Sequence, residues 1–347
     1  MTIPFFDGHN DTLLRLLEKP KAERLSGFID GSKEGHIDLP RARAAGMAGG
    51  FFAMFPPPVK SSLASVAAPD YAKGDLPPLL ELSEAAKSTN GMASLLLQLE
   101  RAGALSICRT AGEIRSAIEA EKLAAIFHIE GAEAIDPDFD SFEVLYAAGL
   151  RSIGITWSRA NAFGTGVPFR FPADPDIGPG LTDAGKDLVR LCDQRGVTID
   201  LSHLNAAGFR DVAAISTRPL VATHSNVHAI CASTRNLTDW QLAAIRESGG
   251  LVGLNFATGF LRQDGRFVAD TPLTTMLEHL DALIEALGED GVALGSDFDG
   301  AMMPTEIGDV TGVPHLFDAM LAHGYGETLV RKIALDNWLG LIERTIG

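Results

Sequence analysis

Cysteine is scarce, with only Cys108, Cys192 and Cys231 in 347 residues. Three scattered thiols cannot form a disulfide framework, so they read as reduced cysteines of a cytoplasmic protein. Positive charge is also short. Lysine and arginine number 29 against 45 acidic residues, a formal net charge of −16. That deficit argues against nucleic acid or an anionic membrane as the main partner. No basic stretch followed by an apolar one opens the chain, so no secretory signal is expected. No apolar run approaches a transmembrane span. The last residues, Leu341 to Gly347, do not resemble a lipid-anchor tail, so no membrane anchor is expected. Short internal repeats and low-complexity tracts are missing too. No Gly-x-Gly-x-x-Gly follows the first strand, which disfavours an open doubly wound sheet.

What is present is material for a large core. Hydrophobic residues make up 46% of the chain. The length would allow two domains, but a single barrel with insertions also fits. We read residues 1–347 as one domain. Nine apolar runs qualify as strands, at 3–8, 49–55, 105–108, 124–129, 151–156, 197–201, 220–223, 251–256 and 292–295. The run at 105–108 is the weakest and is set aside. The other eight alternate with helical patterns at 12–18, 38–46, 79–102, 111–121, 142–148, 182–194, 206–215, 238–248, 274–287, 314–323 and 326–345. Asn90-Gly91 could break the helix at 79–102. Eight strand–helix units predict a parallel sheet closed into a (β/α)8 TIM barrel, with loop insertions and C-terminal helices. The loops at 56–78 and 159–181 are expected to line a pocket.

In a parallel barrel every strand's C-terminal end opens on one face, where active sites sit. The groups at those ends are His9 and Asp11, Glu130, His203, His224 and Asp297. Period-two alternation aims His9 and Asp11 the same way. Each group alone has a plain structural reading. His203 and His224 could be buried histidines satisfied by backbone, and Asp297 could shape a turn. Together, three imidazoles and three carboxylates at one mouth form a metal site by ligand type. Six donors exceed the needs of one tetrahedral zinc, so two metal ions are expected. Two close cations need a bridging anion. No lysine stands at a strand end to be carboxylated, so Glu130 is the bridging candidate.

Such a site makes hydroxide available near neutral pH, able to attack a carbonyl carbon. Asp297 suits the proton transfer to a leaving amine. Arg235, in Cys231-Ala232-Ser233-Thr234-Arg235-Asn236, could clamp a substrate carboxylate. His128 shares Glu130's face but lies deeper, and is read as a core group. Asp299 is read as shaping a turn with Gly300. His36, His228, His279, His315 and His323 occupy no strand end.

These residues resemble the membrane (renal) dipeptidase family, dinuclear zinc peptidases of the amidohydrolase superfamily. The resemblance rests on Asp7-Gly8-His9-Asn10-Asp11, Ile129-Glu130-Gly131, Ile199-Asp200-Leu201-Ser202-His203, Thr223-His224-Ser225, Cys231 to Asn236, and Gly295-Ser296-Asp297-Phe298-Asp299-Gly300, in the family's order. It implies that His9 and Asp11 bind one zinc, that His203 and His224 bind the other, and that Glu130 bridges them. It implies that Asp297 handles the proton and Arg235 binds the substrate's C-terminal carboxylate. It also implies a soluble homodimer of the bacterial type that hydrolyses dipeptides, including those with a D-residue second. Two positions depart from the family's pattern. Trp157, in Thr156-Trp157-Ser158, stands where a histidine helps polarise the scissile carbonyl, and Trp157 donates only through its indole. Ala257 stands where a substrate-binding tyrosine is usual, two residues after Asn255. Trp157 and Asn255 are therefore candidate substrate contacts. The alternatives are the same barrel acting on another small amide or ester, such as an N-acyl amino acid or a lactone, and a non-catalytic metal-binding barrel.

Overall fold

The structure is a computed structural model that describes residues 3–58 and 76–347. Its first strand, β1 (Phe5–Asn10), is buried at every position. So is β4 (Leu123–Glu130). Strands buried along their whole length are covered on both faces, as in parallel sheets with helices outside. The remaining strands are β2 (Met47–Met54), β3 (Leu105–Ile107), β5 (Leu150–Gly154), β6 (Thr198–Asp200), β7 (Val221–Ser225), β8 (Leu251–Leu254) and β9 (Val292–Leu294). All pair in parallel, in the order β2-β1-β9-β8-β7-β6-β5-β4, and a β2–β4 pairing closes the ring. The protein is therefore a closed eight-stranded (β/α)8 barrel.

The run at 105–108 is a strand after all, but it stands outside that ring. β3 pairs only with Leu123–Ala125 at the start of β4, and β5 takes the rest of β4 from Phe127 onward. β2 pairs with β4 along Ala124–Ile129 and closes the ring there, so β3 is attached to β4 alone and leaves the ring closed.

Helix ends follow local chemistry. Asp38 caps Leu39–Ala45 by accepting from the Arg41 N–H, and Gly46 ends it in the left-handed region. Thr182 caps Asp183–Arg195 in the same way, with Gly196 at its end. The helix Leu82–Arg101 runs unbroken through Asn90-Gly91. Gly91 faces Leu17 there, and Met92, Leu95, Leu96 and Leu99 are buried on the core side. That burial outweighs the roughly 1 kcal/mol that one helical glycine costs. The last helical stretch carries a π turn at Lys332–Asp336 between Glu327–Arg331 and Asn337–Thr345. Of the expected loop at 56–78, residues 59–75 lie outside the described residues.

Two cores result. The larger packs the barrel's outer face against helices, with Phe5, Leu96, Leu188 and Leu280 among its members. The smaller fills the barrel interior with Phe6, Phe51, Ala124, Ile126, Val221, Leu251 and Ala293. Trp338 closes that interior from the last helix, and its indole N–H donates to the Leu294 carbonyl at 2.8 Å. Gly8 is required beside it. Any Cβ there would collide with the Trp338 ring and the Thr223 and Leu294 carbonyls.

Strict alternation from Phe6 would aim Gly8 inward and His9 outward. The β1–β2 register instead slips between Asp7 and Asn10. The β7–β8 register slips likewise between Ala222 and Ser225, around His224. Register irregularities re-aim side chains, and here the two imidazoles stack with ring centroids 3.8 Å apart. His9 and Asp11 do come together, through this irregularity rather than through the simple alternation expected.

Candidate metal centre

The ends of β1 and β9 are laced together. Asp7 accepts from the Ser296 N–H at 2.7 Å and the Ser296 hydroxyl at 2.9 Å. The Asp297 N–H donates to the His9 carbonyl at 3.0 Å, and the Asp11 N–H to the Phe298 carbonyl at 2.8 Å. Asp297 and Asp299 both sit in the left-handed region, at φ 62° and 67°, which non-glycine residues rarely occupy. Asp299 does more than shape the turn. Its carboxylate pairs with Arg15 at 2.9 Å and accepts from the His36 N–H at 2.6 Å and the Thr12 hydroxyl at 3.0 Å. Gly300 follows because any Cβ there would strike the carboxylate oxygens of Asp11 and Asp297.

Around the axis, Glu130 stands between the histidines. Its Oε2 is 3.7 Å from His9 Nε2, which is 3.5 Å from Asp11 Oδ2. Its Oε1 is 2.8 Å from His203 Nε2 and 3.5 Å from His224 Nε2, and those two nitrogens are 3.1 Å apart. Ligand atoms about 2.0–2.2 Å from a tetrahedral cation lie about 3.3–3.6 Å from one another. Two sets of buried groups lie near that spacing: His9–Asp11–Glu130, with His9 3.5 and 3.7 Å from the two carboxylates, and the tighter Glu130–His203–His224, at 2.8–3.5 Å. Both His9 ring nitrogens and Asp11 Oδ1 are buried without a hydrogen-bond partner among the described residues. Such orphaned atoms are unusual in a buried site and suit a cation.

The electrostatics agree. Burial opposes a charged His9, yet Glu130, Asp11 and Asp297 outweigh it and push its pKa up to about 10. The carboxylates thus favour positive charge at this spot. Burial holds His203 and His224 well below the usual histidine range, which keeps their lone pairs free. Burial also raises Glu130 well above an ordinary carboxyl, with His9 pulling it back. Asp297 is pushed up to about 6 by burial, against the pull of His9 and a hydrogen bond from the Asn255 amide at 3.0 Å. The residues present fit metal ions by ligand type, spacing and charge.

The centre opens into a cavity of about 550 Å³ that merges with solvent. Asp11, Glu130, His203 and Asp297 form its floor, and Phe55, Trp157, Phe169, Phe260, Phe267 and Met302 its walls. Trp157 lines it, packed 4.7 Å from Phe55 and 5.7 Å from Phe169 between ring centroids. Asn255 is fully buried and holds Asp297 rather than lining the cavity. Arg235 is also buried. It donates to the carbonyls of Ser202 and, at 3.1 Å, His224, while its Nε has no partner among the described residues. His128 lies below the floor, its Nδ1 2.9 Å from the Ser152 hydroxyl.

Sequence reasoning assigned no role to Asp7, Asp200, Glu133 or Arg159. Asp7 and Asp200 stand inside the motifs of two ligand-bearing strands, and that position was the available signal. Arg159 is fully buried behind the cavity wall. Its Nε meets Glu133 at 2.6 Å, it also donates to the Pro56 carbonyl, and its guanidinium lies 5.1 Å from the Trp157 ring. No pattern in the sequence marks that pair. The three cysteines are free and buried. Among the described residues no helix is long and apolar enough to cross a membrane.

Fold and site together define a metal-dependent hydrolase of the (β/α)8 class. Residues 1–345 match the family Membrane dipeptidase (Peptidase family M19), and the chain belongs to that family as a metallo-dipeptidase. A solved structure described as a dipeptidase and metallo peptidase of family M19 is 52% identical, with each chain fully covered and a TM-score of 0.94. A metallo peptidase from Rhodobacter sphaeroides, liganded with a phosphinate mimic of the dipeptide L-Ala-D-Ala, is also 52% identical. That match covers 99% of this chain and 100% of the other, with a TM-score of 0.95. A Klebsiella pneumoniae protein described only as uncharacterized, from the pqqA 5' region, is 51% identical over 70% of this chain and 89% of its own.

Proposed function

We propose that this enzyme is a zinc-dependent dipeptidase that accepts L-Xaa-D-Xaa substrates. In this reading His9, Asp11 and Glu130 hold one zinc, and Glu130, His203 and His224 hold the other. The observation that carries it is the division of the Glu130 carboxylate, one oxygen toward His9 and the other toward His203 and His224. Zinc ions held there would supply an activated water near neutral pH and polarise the scissile carbonyl. Asp297 lies on the cavity floor with its carboxyl raised to about 6. It can take a proton at one oxygen and hand it to the leaving amine, while the Asn255 amide keeps the other oxygen in place. Trp157 and the other aromatic side chains exclude water around the scissile bond. Arg235, the cation behind the floor, favours a substrate carboxylate on that side. The R. sphaeroides ligand supports a dipeptide ending in D-Ala as the substrate type.

The test combines metal analysis with turnover. Purified protein should carry about two zinc per chain and hydrolyse L-Ala-D-Ala. Asp297→Asn should keep the metal and lose turnover by about 100-fold or more. Protein that carries two zinc yet cleaves no dipeptide would refute the proposal.

A further inference from the structure

The side of the metal centre facing into the barrel holds a closed hydrogen-bond ring that the reaction does not require. Asp200, at the end of β6, is buried. Its Oδ1 lies 2.6 Å from the Ser202 hydroxyl, and its Oδ2 lies 2.6 Å from the Thr223 hydroxyl. Each hydroxyl has one proton, and a carboxylate only accepts. Both hydroxyl protons are therefore committed to Asp200, and both hydroxyl oxygens are left to accept from elsewhere. His224 fills both places. Its backbone N–H donates to the Ser202 oxygen at 3.1 Å, and its ring Nδ1 lies 2.8 Å from the Thr223 oxygen. With the Thr223 proton already spent, that ring contact holds only if Nδ1 carries the hydrogen. The Nε2 lone pair is then turned toward Glu130 and His203. Asp200 also accepts from the backbone N–H groups of Ser202 at 3.1 Å and Thr223 at 2.8 Å, so it cannot swing away.

The three imidazoles of the centre differ in this respect. His203 Nδ1 meets the Ser158 hydroxyl at 2.9 Å, and among the described residues no carboxylate stands behind that hydroxyl. His9 Nδ1 has no hydrogen-bond partner among the described residues. Among the described residues, only His224 is backed by a carboxylate through a hydroxyl. Asp200 is close enough to His9 and His224 to be counted with them as a candidate ligand set. Its two oxygens already take four hydrogen bonds, however, which leaves it as a partner of a ligand.

We infer that Asp200 is a positioning residue that acts through Thr223 to fix the tautomer and orientation of His224, and so selectively tightens the cation site His224 shares with His203. This rests on the proposed reading that His224 holds a cation. A ligand histidine backed in this way binds metal about 10- to 100-fold more tightly than one without its partner.

The decisive pair of variants is Thr223→Val and Thr223→Ser. Valine keeps the branched shape of a strand residue and removes the hydroxyl. It leaves Asp200 Oδ2 3.8 Å from His224 Nδ1, beyond hydrogen-bond reach. The readout is stepwise zinc affinity, from competition with a chromophoric chelator, with Tm and circular dichroism recorded alongside. Thr223→Val is expected to weaken one of the two zinc ions by 10-fold or more and the other by less than about 3-fold. Thr223→Ser is expected to restore both, and Asp200→Asn to follow Thr223→Val. Nitrogen-detected imidazole NMR of the metal-free protein should show the Nδ1–H form of His224 dominant in wild type and Thr223→Ser, and lost in Thr223→Val. A folded Thr223→Val protein that binds both ions like wild type would overturn the inference. So would equal weakening of both ions. Wild-type protein that takes up no zinc would instead overturn the metal assignment beneath it, and this is read before any variant is made.

Discussion

Replacing Arg159 with methionine isolates the ion pair behind the cavity wall. Arg159 and Glu133 are both buried, with Nε and Oε1 2.6 Å apart. The remaining Glu133 oxygen has no partner among the described residues. Burial pushes the Glu133 carboxyl up, and the Arg159 charge and hydrogen bond pull it back. Removing Arg159 leaves that carboxyl uncompensated, a loss of about 3–5 kcal/mol. The Pro56 carbonyl loses its donor as well, at about 1 kcal/mol. Unfolding entropy near 2.1 cal/mol/K per residue gives roughly 0.7 kcal/mol/K for a chain of 347 residues. Tm should therefore fall by about 5–8 °C. Calorimetry of Arg159→Met, Glu133→Gln and the double variant checks this. The double variant should recover at least about 2 kcal/mol of the summed single losses, because it no longer buries a lone charge. Arg159 also underlies Phe55 and Trp157, so KM for a dipeptide should rise more than kcat falls. Strictly additive losses, or a Tm change below about 1 °C, would refute the pairing argument.

Three further outcomes are expected. Gly300→Ala should fold, as judged by circular dichroism, yet lose about 100-fold in kcat/KM, because the new methyl displaces the Asp11 and Asp297 carboxylates. His279 accepts from the Val227 N–H at Nδ1, donates from Nε2 to the Leu261 carbonyl, and is held by burial at about 4. Its stabilising contribution is therefore full above the unfolded value near 6.5 and lost as pH falls toward 4. Denaturant titrations should show the stability gap between wild type and His279→Gln narrowing by about 2 kcal/mol from pH 7 to pH 5, and a constant gap would rule this out. Removal of both metal ions by a chelator should lower Tm by about 11 °C relative to protein held at free metal a thousandfold above both Kd values, at about 4.1 kcal/mol per site.

The chain alone determined the barrel and the groups at its mouth. Eight apolar runs alternate with helical patterns, and a parallel barrel sends every strand end to one face. His9, Asp11, Glu130, His203, His224 and Asp297 could therefore be gathered from positions far apart in the sequence. Tertiary structure decided what surrounds them. His9 and His224 turn toward the axis through register slips, which depend on neighbouring strands and leave no periodic trace. Asp200 acquires its partners from β7, and Arg159 acquires Glu133 from the segment after β4. The burial of Asn255 and Arg235 likewise follows from how the loops they stand on pack. Periodicity reports which face of its own element a residue occupies. A hydrogen bond between elements depends on distances that only packing sets.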